Sequence, residues 1–440
     1  MKTLITFLIL TITLCANSFA QIDIKITDVD LGYAKTSVNT TIFRENAITT
    51  CRDTQFIAFY DPEGFLVLGK RAIKDGNDET CNFTLQKSQY KIQHPCDAHN
   101  VISIAADGDG YLHVAFDSHL SQLKYCRSVA PYCLTLGPLE TMLYKSMEKD
   151  VTYPAFYNFS NGDLLFVYRN VHSIVMNHYY LQDKCWRIIS DNILENNECL
   201  CPYWQITIDK KDRVHISWLW RDNANNVDSN HDIYYAYSTN YGFTWKAYDG
   251  KLMKTPFTRQ NTIPVVNIPT YSNLINQTSI AVDSYGRPYI ATYYRKGSVT
   301  NYHLIYYDGK RFNDVVVGRR NVDFRIAGIG TLMLPIARPA VVCDDKMIYY
   351  IVRDKEDGSL PTMFCSEIQD GQKPVFDCMH LSQESLGAWE PIIDHTLWQQ
   401  KHLLHLFVQE TMQISGDRCA DNAPTMVKVL EITPFPSTKR

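Results

Sequence analysis

Two histidines stand at the outer ends of two short, strand-like stretches: His99 in "DAHN" and His119 in "FDSHL". The turn sequence "DGDG" joins the stretches, so a β-hairpin would hold the two imidazoles at a fixed separation. Imidazoles act as acids and bases near neutral pH and also bind ligands. Arg169 ends the apolar run "LLFVYR", where a cation needs an anionic partner. The arrangement of these residues determines whether the chain is an enzyme or only a binding scaffold.

Stretches with strand periodicity recur in units of roughly 40 to 50 residues, the range typical of propeller blades. Several units share a strand, a turn containing Asp-Gly or Asn-Gly, and a second strand, as in "ISIAADGDGYLHVAF". The pattern predicts an all-β, seven-bladed β-propeller in one domain, with segment 22–45 supplying a strand that closes the ring. A two-domain β-sandwich is the alternative. The seven units lie near 46–86, 97–144, 151–190, 203–253, 276–317, 337–378 and 387–432.

The N-terminus has the features of a secretory signal peptide. Lys2 precedes the apolar run "LITFLILTITLCA", and small residues precede Gln21. We expect residues 1–20 to be a signal peptide, residues 21–440 to form the propeller, and the product to be secreted and extracellular. A retained signal anchor is the alternative.

Cysteine and asparagine usage agrees with secretion. Loss of Cys15 with the signal peptide would reduce 13 cysteines to 12, an even number suited to disulfides. Four sequons give weak support for glycosylation, because such triplets also arise by chance. They begin at Asn39, Asn82, Asn158 and Asn276.

Charge and composition limit the possible partners. The formal net charge is -4, from 43 basic and 47 acidic side chains, and no basic run is present. This balance argues against nucleic acid or an anionic membrane as a partner. The 28 tyrosines, 19 phenylalanines and 7 tryptophans suit sugar-binding clefts, but they also suit any all-β protein.

Several ordered motifs resemble the BNR-4 propeller family, which includes ulvan lyases and rhamnose–glucuronate lyases. They are "DAHN…FDSHLSQLKYCRS", "TYPAF…NGDLLFVYRN", "RVHISWLWRD…NHDIYYAYSTNYGFTW" and "NQTSIAVDSYGRP", densest over residues 97–290. The resemblance implies a catalytic site of His99, His119, Tyr153 and Arg169. The sequence departs from the family pattern after Arg169, where "NVHSIVMNHYY" replaces a glycine-rich continuation.

The implied reaction is β-elimination at a 4-linked uronate in an anionic polysaccharide. The C5 proton is weakly acidic beside a carboxylate, so Arg169 would neutralise that carboxylate with a bidentate contact. His99 is the favoured base and Tyr153 the favoured acid, while His119 orients or binds the uronate. Syn and anti geometries could exchange the roles of base and acid. The chemistry needs no cofactor.

A second group of residues is expected to line the mouth of the site. Trp220 and Arg221 in "WLWRD" and His231 in "NHD" could stack on or bind a sugar. Gln277 in "NQT" matches a family position, although a glycan on Asn276 would obstruct a cleft there. Packing within a blade is the alternative role for the tryptophan.

One feature resembles a metal site. Cys199 and Cys201 in "CLC", together with His172 or His231, could hold a structural zinc ion. In a secreted chain, disulfides from these cysteines to distant partners are the alternative. Neither arrangement is catalytic.

Two other functions compete with the lyase. A sialidase-type hydrolase is suggested by the Asp box "STNYGFTW" at 238–245, but only one good copy of the box is present. The Arg-Ile-Pro signature expected of such enzymes is missing. An inactive sugar- or protein-binding propeller is the other alternative, because a fold does not determine a function.

Overall fold

Seven antiparallel β-sheets follow one another along the chain in the computed structural model. They are arranged as the blades of a β-propeller, which confirms the predicted all-β, seven-bladed fold. The described residues are 22–41, 46–73, 82–171, 173–195, 201–276 and 279–433. The predicted signal peptide, residues 1–20, lies outside them.

The strands are numbered in chain order, and β1 (Asp23–Gly32) belongs to the last blade. Blade 1 contains β2 (Ile48–Cys51), β3 (Thr54–Tyr60), β4 (Phe65–Ala72) and β5 (Thr84–Lys91). Blade 2 contains β6 (Ile102–Ala106), β7 (Leu112–Phe116) and β9 (Lys124–Arg127). Blade 3 contains β8 (His119–Ser121), β10 (Val151–Asn158), β11 (Leu164–Arg169), β12 (Ile174–Tyr180) and β13 (Cys185–Ser190).

Blades 4 to 7 complete the ring. Blade 4 contains β14 (Cys201–Ile208), β15 (Val214–Arg221), β16 (Asn230–Ser238), β17 (Trp245–Lys246) and β18 (Leu252–Met253). Blade 5 contains β19 (Ser279–Val282), β20 (Pro288–Arg295), β21 (Thr300–Tyr307) and β22 (Phe312–Val317). Blade 6 contains β23 (Ala340–Cys343), β24 (Met347–Asp354), β25 (Leu360–Glu367) and β26 (Asp377–His380). Blade 7 contains β27 (Ile392–Ile393), helix α1 (His395–Lys401), β28 (Leu404–Gln409) and β29 (Thr425–Thr433).

The N-terminal strand closes the ring, as predicted. β1 pairs antiparallel with β29, from Asp23 opposite Thr433 to Gly32 opposite Thr425. The sheet order is β1-β29-β28-β27, so the first described strand is the outer edge of the last blade. Hydrogen bonds between distant parts of the chain therefore hold the circle together and leave few exposed edges.

The predicted Asp-Gly hairpin turns are built around an aspartate. Asp107 accepts hydrogen bonds from the backbone amides of Asp109 (3.0 Å) and Tyr111 (2.9 Å), which fixes the turn between β6 and β7. Its other oxygen lies 3.4 Å from Nε2 of His113. His113 also stacks edge-on against Tyr179 of blade 3, so it packs between blades. These turns lie at the end of the strands opposite the predicted site.

The predicted site residues gather at one face of the ring because of strand direction. His99 precedes β6 of blade 2, and Tyr153 lies near the start of β10 of blade 3. His119 follows β7 of blade 2, and Arg169 ends β11 of blade 3. In an antiparallel sheet, the start of one strand and the end of the next lie at the same edge.

Cysteine pairing is more limited than the even count predicts. Cys96 and Cys419 form a disulfide across 323 residues. The other described cysteines are free thiols, so the expectation of a wider disulfide framework is wrong for them. They are Cys51, Cys126, Cys133, Cys185, Cys201, Cys343, Cys365 and Cys378.

Two of the four sequons cannot carry a glycan in this fold. Asn39 is 0% exposed and donates hydrogen bonds to the carbonyls of Tyr33 and Tyr60, and Asn276 is 4% exposed. The expectation of glycosylation is therefore wrong at these positions, while Asn82 is exposed. Separately, no helix among the described residues is long and apolar enough to cross a membrane.

We predict that the disulfide stabilises the ring strongly. The double substitution Cys96→Ser and Cys419→Ser should lower the free energy of unfolding by about 2–5 kcal/mol, because the bond restricts a long loop of the unfolded chain. Calorimetry should show a lower Tm than for Cys378→Ser, which removes an exposed free thiol. Equal Tm values for the two variants would contradict this prediction.

Candidate active site

A single carboxylate, Asp97, joins the two predicted site histidines. Its Oδ1 lies 2.6 Å from Nδ1 of His99, and its Oδ2 lies 2.5 Å from Nδ1 of His119. The backbone amide of His99 also donates to Oδ1 at 3.0 Å, which fixes a local Asx turn. The two imidazole rings are stacked, with centroids 4.3 Å apart and planes inclined by 18°. Asp97 therefore sets the position of both rings.

The same contacts determine which ring nitrogen carries the proton. A carboxylate only accepts hydrogen bonds, so each imidazole donates from Nδ1, and Nε2 is its basic nitrogen. Burial alone would raise the pKa of Asp97, but the hydrogen bonds from His119 and His99 outweigh burial and hold that pKa far below its ordinary value. Burial lowers the pKa of His99, although the bond to Asp97 opposes this. His99 is therefore neutral at neutral pH.

Three strands from two repeat units align His119 with Arg169. β8 leaves the repeat of blade 2 and pairs with β10 of blade 3, where His119 lies opposite Thr152. On its other side, Thr152 lies opposite Arg169 of β11. Residues that are directly opposite in an antiparallel sheet project from the same face. His119 and Arg169 therefore flank Thr152 in one row across the sheet.

Tyr153 reaches the same place through a strained backbone. Its φ is 58°, in the left-handed region that bulky side chains rarely occupy, at an irregularity of β10 between Thr152 and Ala155. Such a bulge redirects a side chain that strict alternation would send to the other face. The Tyr153 ring lies 5.9 Å from that of His99, centroid to centroid. Burial raises the pKa of Tyr153 far above its ordinary value, so its hydroxyl keeps its proton.

Two arginines complete the site. The guanidinium carbon of Arg169 lies 4.8 Å from the Tyr153 ring and 5.1 Å from the Tyr203 ring, and Nη1 lies 2.9 Å from Sγ of Cys201. Arg221 lies 4.3 Å from the same Tyr203 ring. Within the described part of the chain, neither arginine has a carboxylate oxygen within 4.0 Å. Aromatic rings and neutral acceptors thus hold two cations that suit an anionic ligand.

A segment between blades 5 and 6 reaches across to His99. Oγ1 of Thr331 lies 3.4 Å from Nδ1 of His99, and the amide of Thr331 donates to Asp417 at 2.8 Å. Asp417 is two residues from Cys419, whose disulfide partner Cys96 directly precedes Asp97. The disulfide therefore joins the loop of Asp97 to the segment of Asp417, which in turn accepts a hydrogen bond from Thr331.

The structure brings the four predicted catalytic residues together: His99, His119, Tyr153 and Arg169. Their individual roles stay predictions. The sequence analysis missed Asp97, although the Asp-x-His spacing of an Asx turn was a possible signal. It also missed Tyr203 and Thr331, which only the packing of neighbouring blades brings to the site.

The second group of predicted residues is only partly suited to substrate contact. Trp220 is 0% exposed and packs edge-on against Tyr234, so its assignment as a sugar-binding residue is wrong. His231 is buried between Asp222 (3.0 Å) and Asp232 (2.9 Å). Arg221 lies beside the site, as described above. Gln277 is outside the described residues.

Of the residues predicted to hold a structural zinc ion, only Cys201 and His231 are among the described residues. Cys199 and His172 lie outside the described residues, so this site stays a prediction. Cys201 is a free thiol in contact with Arg169, and the alternative of a disulfide from Cys201 is therefore wrong.

Comparison with known proteins identifies one family. The profile described as a BNR repeat-containing family member matches residues 54–320, more than half of the chain. No curated protein matches the sequence.

Solved structures with the same architecture include polysaccharide lyases. Polysaccharide lyase Uly1 is 15% identical, with a TM-score of 0.63. The match covers 88% of this chain and 90% of that one. An ulvan lyase described as a new family of polysaccharide lyase is 14% identical, with a TM-score of 0.61, and the match covers 92% of this chain and 94% of that one. An ulvan lyase bound to -[GlcA(1-4)Rha3S]- is also 14% identical, with a TM-score of 0.61. This match covers 91% of this chain and 94% of that one. At these identities, the likeness shows a shared fold.

We predict opposite tautomers for two sets of histidines at neutral pH. His99 and His119 should carry the proton on Nδ1, because that nitrogen faces Asp97. His215 should carry it on Nε2, because Asp209 lies 3.1 Å from that atom. Nitrogen-15 NMR of the imidazoles would distinguish the two forms. An unprotonated Nδ1 in His99 or His119 would contradict the assigned role of Asp97.

Proposed function

The chain belongs to the BNR repeat-containing family, and we propose that it is a polysaccharide lyase that cleaves uronate-containing polysaccharides by β-elimination. The observation that carries this proposal is the meeting of an Asp97-bound histidine pair with Tyr153 and Arg169. These side chains supply a base, an acid and a cation within one small site.

Arg169 binds the uronate carboxylate of the substrate. Since no acidic side chain of the described residues neutralises Arg169 or Arg221 within 4.0 Å, the substrate carboxylate supplies the missing negative charge. A guanidinium fork stabilises the additional charge that develops on the carboxylate when C5 is deprotonated. This contact makes the C5 proton acidic enough to be removed.

The bond changes are balanced without added water. Nε2 of His99 takes the C5 proton, the C5–H electron pair forms the C4–C5 double bond, and the C4–O4 bond breaks. The hydroxyl of Tyr153 protonates the departing O4. The products are a 4,5-unsaturated uronate end and a new hydroxyl-bearing end, with His99 protonated and Tyr153 ionised. Both residues return to their starting states by exchanging protons with solvent.

Asp97 supports this step by stabilising the imidazolium that forms. Its carboxylate already accepts from Nδ1 of both histidines, so positive charge on the base develops next to a fixed negative charge. His119 would orient or bind the uronate while stacked on His99, which its side-chain exposure of 21% supports.

The substrate class follows from the charges of the site. The bound -[GlcA(1-4)Rha3S]- in the ulvan lyase structure is a uronate oligosaccharide, and this chemistry fits the two arginines here. A polymeric substrate of this kind lies outside cells, so we propose that the chain acts there, as its N-terminal sequence predicts. The Cys96–Cys419 disulfide suits an oxidising compartment.

Substitutions should separate catalytic residues from structural ones. We predict that Tyr153→Phe lowers kcat by about 10²- to 10⁴-fold, because the acid is lost while the ring stays. Arg169→Gln should lower kcat by about 10²-fold or more, because the developing charge is no longer stabilised. Rates would be measured as ultraviolet absorbance of the unsaturated uronate over a panel of uronate polysaccharides.

Tyr306→Phe is the matched control for Tyr153→Phe, because it removes a tyrosine hydroxyl from blade 5, away from the site. Its activity should equal that of the parent. A parent protein that produces no absorbance with any polymer of the panel would contradict the proposal, as would full activity in Tyr153→Phe.

The dependence of activity on pH should reflect the protonation of His99, the proposed base. His99 is active when neutral, and burial lowers its pKa below the ordinary 6.5. Activity should therefore be retained as the pH falls to 6.5 and be lost only at lower pH, where the imidazole becomes protonated. Measuring kcat/KM against pH tests this expectation. A loss of activity that begins well above pH 7 on acidification would show that the base is a different group.

A further inference from the structure

The histidine pair and its carboxylate also form a set of metal ligands. In the described part of the chain, Asp97, His99 and His119 each offer one ligand atom, and these atoms all lie within 4.8 Å of one another. Two imidazole nitrogens and one carboxylate oxygen are a donor set that Zn²⁺ takes in proteins, with a fourth position left open. Oγ1 of Thr331 lies beside this set, 3.4 Å from Nδ1 of His99.

We infer that Asp97, His99 and His119 bind a divalent transition-metal ion such as Zn²⁺, and that the bound ion switches the site off. The metal would take the place of the two Nδ1 protons that now lie between the imidazoles and the carboxylate. The inhibitory part of this inference rests on the proposed lyase function, whereas the binding part does not. This site is separate from the structural zinc predicted at Cys199, Cys201 and His172.

Inhibition follows from the chemistry of a neutral imidazole, which carries one proton on its two nitrogens. When Asp97 faces Nδ1, the proton lies there, and Nε2 accepts the C5 proton of the substrate. When a metal ion takes Nδ1, the proton moves to Nε2, and the ring has no basic nitrogen left. Metal binding thus removes the base of the reaction without removing a side chain.

The geometry requires only a local adjustment. The rings are stacked with centroids 4.3 Å apart, so both Nδ1 atoms must lose their protons to Nε2 and turn toward a common point to share one ion. The His119 side chain is 21% exposed and that of His99 is 8% exposed, so His119 is the ring that we expect to turn. His99 also contacts Thr331, which restricts its movement.

The test is a calorimetric titration of the intact, metal-free protein with zinc sulfate. We expect one saturable zinc site that is at least about tenfold weaker in His119→Ala and in Asp97→Asn. His94→Ala, which removes an exposed histidine of the same loop, should bind zinc like the parent. Circular dichroism would establish that each variant is folded.

Two results would overturn the inference. One is equal zinc affinity in the parent, His119→Ala and Asp97→Asn. The other is binding that disappears in Cys201→Ser while it persists in His119→Ala, because the ion would then belong to the cysteine. Nitrogen-15 NMR adds a second readout, since zinc should shift the proton of His99 from Nδ1 to Nε2.

Activity measurements separate this inference from the proposed function. If the protein produces unsaturated uronate, zinc should abolish the reaction and a chelator should restore it, and undiminished activity at saturating zinc would overturn the switch. If no uronate polymer is cleaved but His119→Ala loses zinc, the metal site stands and only the lyase proposal fails.

Discussion

The site depends on the hydrogen bonds that the carboxylate of Asp97 accepts from the imidazoles of His99 and His119. A buried carboxylate costs free energy unless it is hydrogen-bonded, and here both of its oxygens accept from a histidine Nδ1. That single group sets the spacing of the rings, their tautomers and the charge beside them. Without it, His99 and His119 would be two adjacent histidines with no fixed orientation. With it, they present Nε2 atoms as bases, which is the property that the lyase proposal uses and that zinc bound at Nδ1 would remove.

The ring architecture supplies the remaining constraints on this contact. The site residues are far apart in sequence, from Asp97 to Asp417. They meet at one face of the ring because the blades place strand ends and the connecting loops there. β8 carries His119 into the sheet of blade 3, where Thr152 aligns it with Arg169. The Cys96–Cys419 disulfide then ties the loop of Asp97 to the segment near Thr331. Local strain at Tyr153 persists because these surroundings hold it in place.

Much of this could be predicted from sequence, for identifiable reasons. Alternating strands and aspartate-glycine turns are local patterns, and their even spacing predicted seven blades and the closing strand. The ordered motifs around His99, His119, Tyr153 and Arg169 predicted which residues meet. The left-handed backbone of Tyr153 and the crossing of β8 could not be predicted, because a bulge and a change of sheet leave no periodic signal. Trp220 was assigned wrongly because strand alternation shows that Trp218 and Trp220 share a face, but not that the face is buried.

The central claim is that these residues cleave a uronate linkage by elimination. The most direct measurement is the mass of the products formed from a uronate polysaccharide in water enriched in oxygen-18. Elimination adds no water, so the account predicts a product that is lighter by one water molecule than the saturated oligosaccharide of the same length and that carries no oxygen-18 at its unsaturated end. Hydrolysis adds one water molecule per cleaved bond, so saturated products with one oxygen-18 atom at the new reducing end would identify a hydrolase and contradict the account. An intact polymer that nevertheless binds the protein would also contradict it, and would identify a sugar-binding propeller.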